Sequence, residues 1–343
     1  MSLNPTIISS LTSLGEILKK YCLDTIDKKN KKLIDEYVHN ATNHNKWFTK
    51  NNILFCFKVW SKNLSFDILK KWLSNYNFNN QSKTLGLVLA GNIPLVGLHD
   101  IICGLLCNYK LEIKLSGEDS HLIVFCLNYL SANNKLIKNK ISIKKHKIEN
   151  FDKVIATGSN NTGRYFKYYF KNYPNIIRGN RNGVAVILGN ETENDLKLLC
   201  IDIFQYFGLG CRSVSFIFFP HNYDFNNLLE AISSYKSLIN HNSYYNNYIY
   251  NKAMMVMQKE DIIDSGFFIL NKKKSLHSPL ASLNYWNYND INEVNNFIEN
   301  NNNNIQCVVS KKFKNSIYFG ESQNPNISDY ADNVDTIEFL LKN

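Results

Sequence analysis

Apolar and charged positions alternate at helical spacing through the first 80 residues, as in "LIDEYVHNATNHNKWF" and "FDILKKWLSNY". That pattern predicts a set of amphipathic helices without catalytic features. From residue 84 the pattern changes. "LGLVLA" reads as a buried strand, "AGNIP" as a turn, "LVGLHDIICGLLC" as a helix and "LEIKLS" as a second strand, while "DSHLIVFCLNYL" reads as a helix begun by an acidic cap. Strand, helix, strand, helix predicts a parallel, doubly wound sheet.

After a lysine-rich connector, "KISI" and "FDKVIATG" continue the strands, "NNTGRYFKYYFKNY" is a helix opened by an Asn- and Gly-rich turn, and "GVAVILG" is another buried strand. A second unit begins with the helix "NDLKLLCIDIFQYFG", a turn at Cys211 and the strand "SVSFIFFP". Residues 221–300 mix helices such as "DFNNLLEAISSYKSLI" with strand-like pieces such as "GFFIL", and "NNFIENNNNN" reads as a helix end and a solvated loop. No internal repeat is evident.

At 343 residues and 44% hydrophobic content, the chain is long enough for a large core and, by length, for two domains. No run of 18 apolar residues and no signal-peptide pattern occurs, so no membrane span is expected and the cytoplasm is the default location. The eight cysteines lack C-x-x-C spacing, which argues against a disulfide framework or zinc. His99, Cys103 and Cys107 would share a helix face, but one face without a second ligand cluster is ordinary core packing, so no metal is expected. The net charge of +10 is spread along the chain, and the surplus of Asn, Lys, Ile and Tyr reads as AT-rich codon usage rather than nucleic-acid binding.

Three turns carry candidate chemistry. In "VIATGSNNTGRYF" a strand ends at Gly158 and Ser159 and a helix starts near Gly163, an arrangement that aims backbone N–H groups at a phosphate or forms a plain connection. In "LAGNIPLVG", Asn92 lies past a strand at the carboxyl edge, where its amide can donate to an oxyanion or merely shape the turn. Cys211, between Gly210 and Arg212, is either an inert core thiol or a nucleophile favoured by nearby positive charge.

These blocks in order, with "WFT", "IKLSGED", "IIRGNRNGVAVILGNET", "YFGLGCRSV", "SPLASLNY" and "DYADNVDTIEFLL", resemble the LuxC-type acyl-CoA reductases of the aldehyde dehydrogenase superfamily over almost the whole chain. The resemblance implies an aldehyde-dehydrogenase-like α/β fold. Its parts would be N-terminal helices (1–80), a Rossmann-type NADP-binding domain (81–184), a catalytic domain with the Cys nucleophile (185–315) and a C-terminal segment returning to the first domain (316–343).

"DKVIATGSNNTGR" is similar to D-K-V-x-F-T-G-S-x-x-x-G, which implies that Gly158, Ser159 and Gly163 line the cofactor pyrophosphate. "AGNIP" carries the oxyanion-binding role onto Asn92, "GLGC" carries the catalytic thiol onto Cys211, and "IKLSG" brings Lys114 to the adenosine ribose. Two departures matter. The hydrolytic base of E-L-G-G-K falls on Ile187, with Glu191 nearby, and the acid of K-P-S-E falls on Gly117, which leaves room beside Lys114 and Ser116 for the 2′-phosphate of NADPH, although Glu118 is adjacent. The spacing to Cys211 is short, and Ser275 stands where a ribose-binding Glu is common.

The implied reaction is NADPH-dependent reduction (NADH as the alternative) of a fatty acyl-CoA to the aldehyde through an acyl-Cys211 thioester. An acyl-transferring or acyl-activating protein partner and a homo-oligomer are compatible with it. An NAD-dependent aldehyde dehydrogenase and a catalytically eroded nucleotide-binding subunit are the alternatives.

Overall fold

The computed structural model describes residues 4–78 and 83–342. The expected boundary between residues 80 and 81, like residues 1–3 and 343, lies outside the described residues. The chain forms two compact units, Met1–Asn180 with Asn326–Asn343, and Arg181–Pro325.

The first unit opens with helices α1 (Pro5–Cys22), α2 (Lys28–His44), α3 (Lys50–Asn63) and α4 (Phe66–Leu73). Asn4, Asp27 and Thr49 accept backbone N–H groups at the starts of α1, α2 and α3, the role expected of such residues at a helix entry. The sheet follows: β1 (Thr84–Val88), α5 (Leu98–Leu106), β2 (Lys110–Lys114), α6 (Ser120–Asn133), α7 (Lys135–Lys138), β3 (Ile141–Ile143), β4 (Lys153–Thr157), α8 (Asn160–Tyr169) and β5 (Asn175–Arg178). Its order is β3-β2-β1-β4-β5, and every pairing is parallel.

From β1 the chain winds outward through β2 and β3, and then returns to lay β4 on the other side. The strand order therefore reverses between β1 and β4, the switch point at whose carboxyl edge such sheets bind ligands. The sequence missed β5, four residues set between Pro174 and Gly179.

The second unit contains β6 (Asn182–Val186), α9 (Glu193–Phe204), β7 (Val214–Pro220), α10 (Asn226–Ser233), α11 (Asn242–Met257), β8 (Ile262–Asp264), β9 (Ile269–Lys272), β10 (Ser282–Tyr288), α12 (Ile291–Asn300) and β11 (Ile305–Val309). Its sheet runs β11-β6-β7-β10-β9-β8, parallel except at the β8–β9 edge. Val184, Val186, Phe216 and Phe218 are fully buried on the adjacent strands β6 and β7, and the rings of Phe216 and Phe218 meet edge to face. Runs of apolar residues are what strands covered on both faces require. One parallel and one mixed sheet, each interleaved with helices, give the α/β fold class expected from the sequence.

Several expected elements are shorter than expected, among them the helix read through Ile239, which ends at Ser233. The helix read through Gly208 ends at Phe204, because Tyr206 and Phe207 take left-handed φ values of 55° and 58° that no α-helix accommodates. The helix read through residue 173 ends at Tyr169.

The chain returns to the first unit with α13 (Thr336–Leu341). Arg178, at the end of β5, forms a buried ion pair with Asp100 of α5 (2.6 Å) and donates to Thr336 Oγ1 (3.0 Å). The Lys153 ammonium donates to the carbonyl of Phe339 (2.7 Å). These bonds offset part of the hydration each charge loses and tie the returning segment to the sheet, while Asp100 Oδ1 and Arg178 Nε are buried without a hydrogen-bond partner.

Candidate active site

At the carboxyl edge of the first sheet, β1 is flanked by β2 and β4, with Val88 in register with Lys114 and with Ala156. Asn92, Lys114, Ser116, Gly158 and Ser159 all follow or end these three strands, so the sheet gathers them on one edge. Gly91 is buried where a Cβ would come within 2.6 Å of Ser116 Oγ and 2.8 Å of the Asp119 nitrogen. Only glycine lets the Asn92 turn pass this close to the loop after β2.

Ser159 is the N-cap of the ten-residue α8; its hydroxyl accepts the Thr162 N–H (3.3 Å) and meets the Thr162 hydroxyl (3.0 Å). The first N–H groups of a helix have no partners within it and carry its positive pole, so this end suits an anion. Gly158 donates to the Arg178 carbonyl (3.2 Å), and a Cβ there would press on Thr162 and Phe166 at 3.1 Å. Gly163 is buried with space around it, the nearest atom to an added Cβ being 4.0 Å away on Ile177.

The Lys114 amine donates to the His146 carbonyl, and Ser116 Oγ accepts the Glu118 N–H (3.2 Å). At Gly117 nothing lies within 4 Å of an added Cβ. Open space beside a lysine and a serine is compatible with a phosphorylated ribose.

Asp119 is a buried acid whose contact with the Asn92 turn the sequence reading missed. It stands at the N-cap of α6, as an acidic cap should, but its carboxylate accepts the Leu95 N–H (2.6 Å) instead of capping. Leu95 has φ 55°, so a fully buried acid holds a strained residue three positions after Asn92. Burial pushes the Asp119 carboxyl up to about 7 against the pull of the backbone N–H groups, and its other oxygen, Oδ1, is buried without a partner. The signal in the sequence was an acid in "LSGED", indistinguishable from a cap.

In the second unit, Cys211 sits half-buried on the tight turn between α9 and β7, closed by the Ser213 N–H on the Gly210 carbonyl (3.0 Å). Three successive left-handed residues lead into it, Tyr206, Phe207 and Gly208 (φ 76°). The aromatic pair is held by packing: both are buried, and the Phe207 ring lies 4.5 Å from His241. Gly183 of β6 passes directly beneath, where a Cβ would meet the carbonyl oxygens of Arg212 and Ser213 at 2.7 Å. The turn that carries the thiol thus follows a strained segment held by packing, the kind of over-determined backbone that clusters at functional sites.

Ile187 is fully buried, and its carbonyl accepts the Tyr288 hydroxyl (2.8 Å). The Glu191 carboxylate accepts the N–H groups of Leu188 (2.8 Å) and Gly189 (2.9 Å). The Ser275 carbonyl accepts from the Asn284 amide (3.0 Å). Two further acids, Asp195 and Asp202, both on α9, anchor the end of the unit. Asp195 binds Tyr318 and Lys311, and Asp202 accepts the N–H groups of Gly320 and Ser322. His99 is spent on the Ile327 carbonyl (2.8 Å) and lies 3.6 Å from the Cys103 sulfur; among the described residues no group of three such side chains could hold a metal.

No helix among the described residues is long and apolar enough to cross a membrane. No family model matches the chain, and no curated protein matches it. Solved structures do. An aldehyde dehydrogenase from Physcomitrella patens in complex with the reaction product succinate superposes with a TM-score of 0.66 at 11% identity, over 96% of this chain and 84% of the other.

A mutant of aldehyde dehydrogenase C from Pseudomonas syringae, complexed with NAD+ and octanal, gives 0.63 at 9% identity over 90% and 72%. An aldehyde dehydrogenase from Mycobacterium tuberculosis complexed with NAD+ gives 0.57 at 12% identity over 87% and 72%. At such identities the likeness establishes the fold: the structural neighbours are members of the aldehyde dehydrogenase superfamily.

Proposed function

We propose that the protein is an acyl-CoA reductase that turns an acyl-CoA, fatty in the reading taken from its resemblance to LuxC-type proteins, into the aldehyde through a thioester on Cys211. The observation that carries this reading is the pairing of a half-buried thiol, on the turn that follows a strained segment, with a base position that cannot deliver water. Ile187 has no proton-accepting side chain, and Glu191 is occupied by two backbone N–H groups. Without a base to activate water, an acyl-enzyme is protected from hydrolysis, which suits reduction and disfavours oxidation of aldehyde to acid.

The Cys211 thiolate attacks the thioester carbonyl and expels the CoA thiolate; Asn92 is proposed to donate its amide to the developing oxyanion. Gly158, Ser159 and Gly163 are assigned to a dinucleotide pyrophosphate, and Lys114, Ser116 and the open position at Gly117 to a 2′-phosphate, which favours NADPH over NADH. When bound, the reduced nicotinamide supplies the hydride.

The test follows NADPH and NADH oxidation by fluorescence against acyl-CoAs of graded length, with Cys211→Ala as the blank. Reduction by wild type alone supports the proposal. Acid formed from aldehyde without CoA would make the protein a hydrolytic dehydrogenase, and nucleotide binding without turnover a binding subunit.

A further inference from the structure

Two loops meet at the carboxyl edge of the first sheet, the turn after β1 that carries Asn92 and the loop after β2 that carries Asp119. Asp119 touches the turn on both sides of Asn92. Before it, Gly91 passes so close that an added Cβ would lie 2.8 Å from the Asp119 nitrogen. After it, the Leu95 N–H donates to Asp119 Oδ2 at 2.6 Å. The loop that holds is itself held: the His44 ring donates to the Gly117 carbonyl (2.6 Å) and the Asn45 amide to the Glu118 carbonyl (3.4 Å), both from the end of α2. Beyond Asn92, the Pro94 carbonyl accepts the Cys56 thiol (3.2 Å) and the Leu95 carbonyl accepts the Leu98 N–H (3.0 Å).

Fold stability does not account for the acid. Asp119 stands at the cap position of α6 and makes no cap bond to it. It is fully buried, and its Oδ1 has no partner. The bond it does make keeps Leu95 at φ 55°, a region costly for any side chain larger than glycine's. A half-satisfied buried carboxyl spent on a strained residue costs the fold twice, and such costs are kept where a site needs one geometry.

We infer that Asp119 is a positioning residue, which acts through Leu95 to fix the turn that presents the Asn92 amide. The inference rests on the oxyanion role proposed for Asn92. An oxyanion donor is worth most when its place is set before the reaction, and a displacement of about 1 Å costs up to about 100-fold in rate. Without the Asp119 acceptor, Leu95 relaxes out of the left-handed region and swings the chain three residues from Asn92.

The experiment follows acylation of Cys211 by mass spectrometry in the full chain, without reduced nicotinamide, using the acyl-CoA that wild type reduces fastest. Asn92→Ala is expected to lower the maximal rate roughly 100-fold. Asp119→Ala should lower it roughly 10- to 100-fold, with the half-saturating acyl-CoA concentration unchanged. Asp119→Asn keeps an acceptor for the Leu95 N–H and should recover most of the loss. Because Asp119 acts only through the Asn92 turn, adding Asp119→Ala to Asn92→Ala should slow it no further. Alkylation of Cys211 by iodoacetamide, which develops no oxyanion, should keep the wild-type rate in every variant. Four results would each overturn the inference alone: normal acylation by Asp119→Ala beside slow Asn92→Ala, losses that multiply in the double variant, an Asn variant no faster than the Ala variant, and alkylation lost together with acylation. Asn92→Ala at the wild-type rate would instead refute the role proposed for Asn92, and the inference with it.

Discussion

The carboxyl edge of the first sheet and the Cys211 turn of the second unit use glycine and strain in opposite proportions. On the first edge, Gly91, Gly158 and Gly163 make room, Ser159 caps a regular helix, and a single left-handed residue, Leu95, is held by Asp119. Before Cys211, three residues in succession are left-handed, two of them large aromatics, and the turn is wedged against Gly183. The proposed ligand edge is built from small residues with ordinary dihedrals, and the proposed nucleophile follows a segment that packing holds out of its relaxed geometry.

The most severe way to break the contrast is at Gly183. Gly183→Ala drives a methyl into two carbonyl oxygens and should cost about 3 kcal/mol, read as a lower urea midpoint for the second unit. Next comes Asp119, where the first edge departs from its own pattern. Its folded pKa, about 7, lies above the unfolded value near 4, so the unfolded chain ionises first. Stability from this group is therefore fully present below about pH 4 and is lost as pH rises to about 7.

Asp119→Asn should flatten the pH dependence of Tm over that window. It should not abolish it, since burial also pushes Asp202 up to about 6. Gly208→Ala, at φ 76°, should cost about 1 to 2 kcal/mol in the same denaturation assay. Gly163→Ala sharpens the contrast from the other side. With room for the methyl it should leave the protein as stable or firmer by up to about 1 kcal/mol, while weakening NADPH binding in a fluorescence titration.

Much of the fold was legible because parallel strands announce themselves as apolar runs: "LGLVLA" and "SVSFIFFP" lie where β1 and β7 form. The turns at Asn92, Gly158 and Cys211 were legible from glycines and their place at strand ends. Helix α11 was not, since a helix apolar on both faces has no hydrophobic period to read. The Tyr206–Phe207 strain was equally hidden, because aromatic residues give no signal for left-handed backbone and "DIFQYFG" continues a helical pattern. Asp119's role needed the turn after β1 and the loop after β2 brought side by side, a juxtaposition that sequence order does not contain.

The direct test of the central claim is intact-protein and peptide mass spectrometry after incubation with an acyl-CoA in the absence of reduced nicotinamide. The account predicts one acyl group per chain, located on Cys211, absent from Cys211→Ala and released as aldehyde when NADPH or NADH is added. An acyl group on another cysteine, or its release as free acid alone, would contradict it.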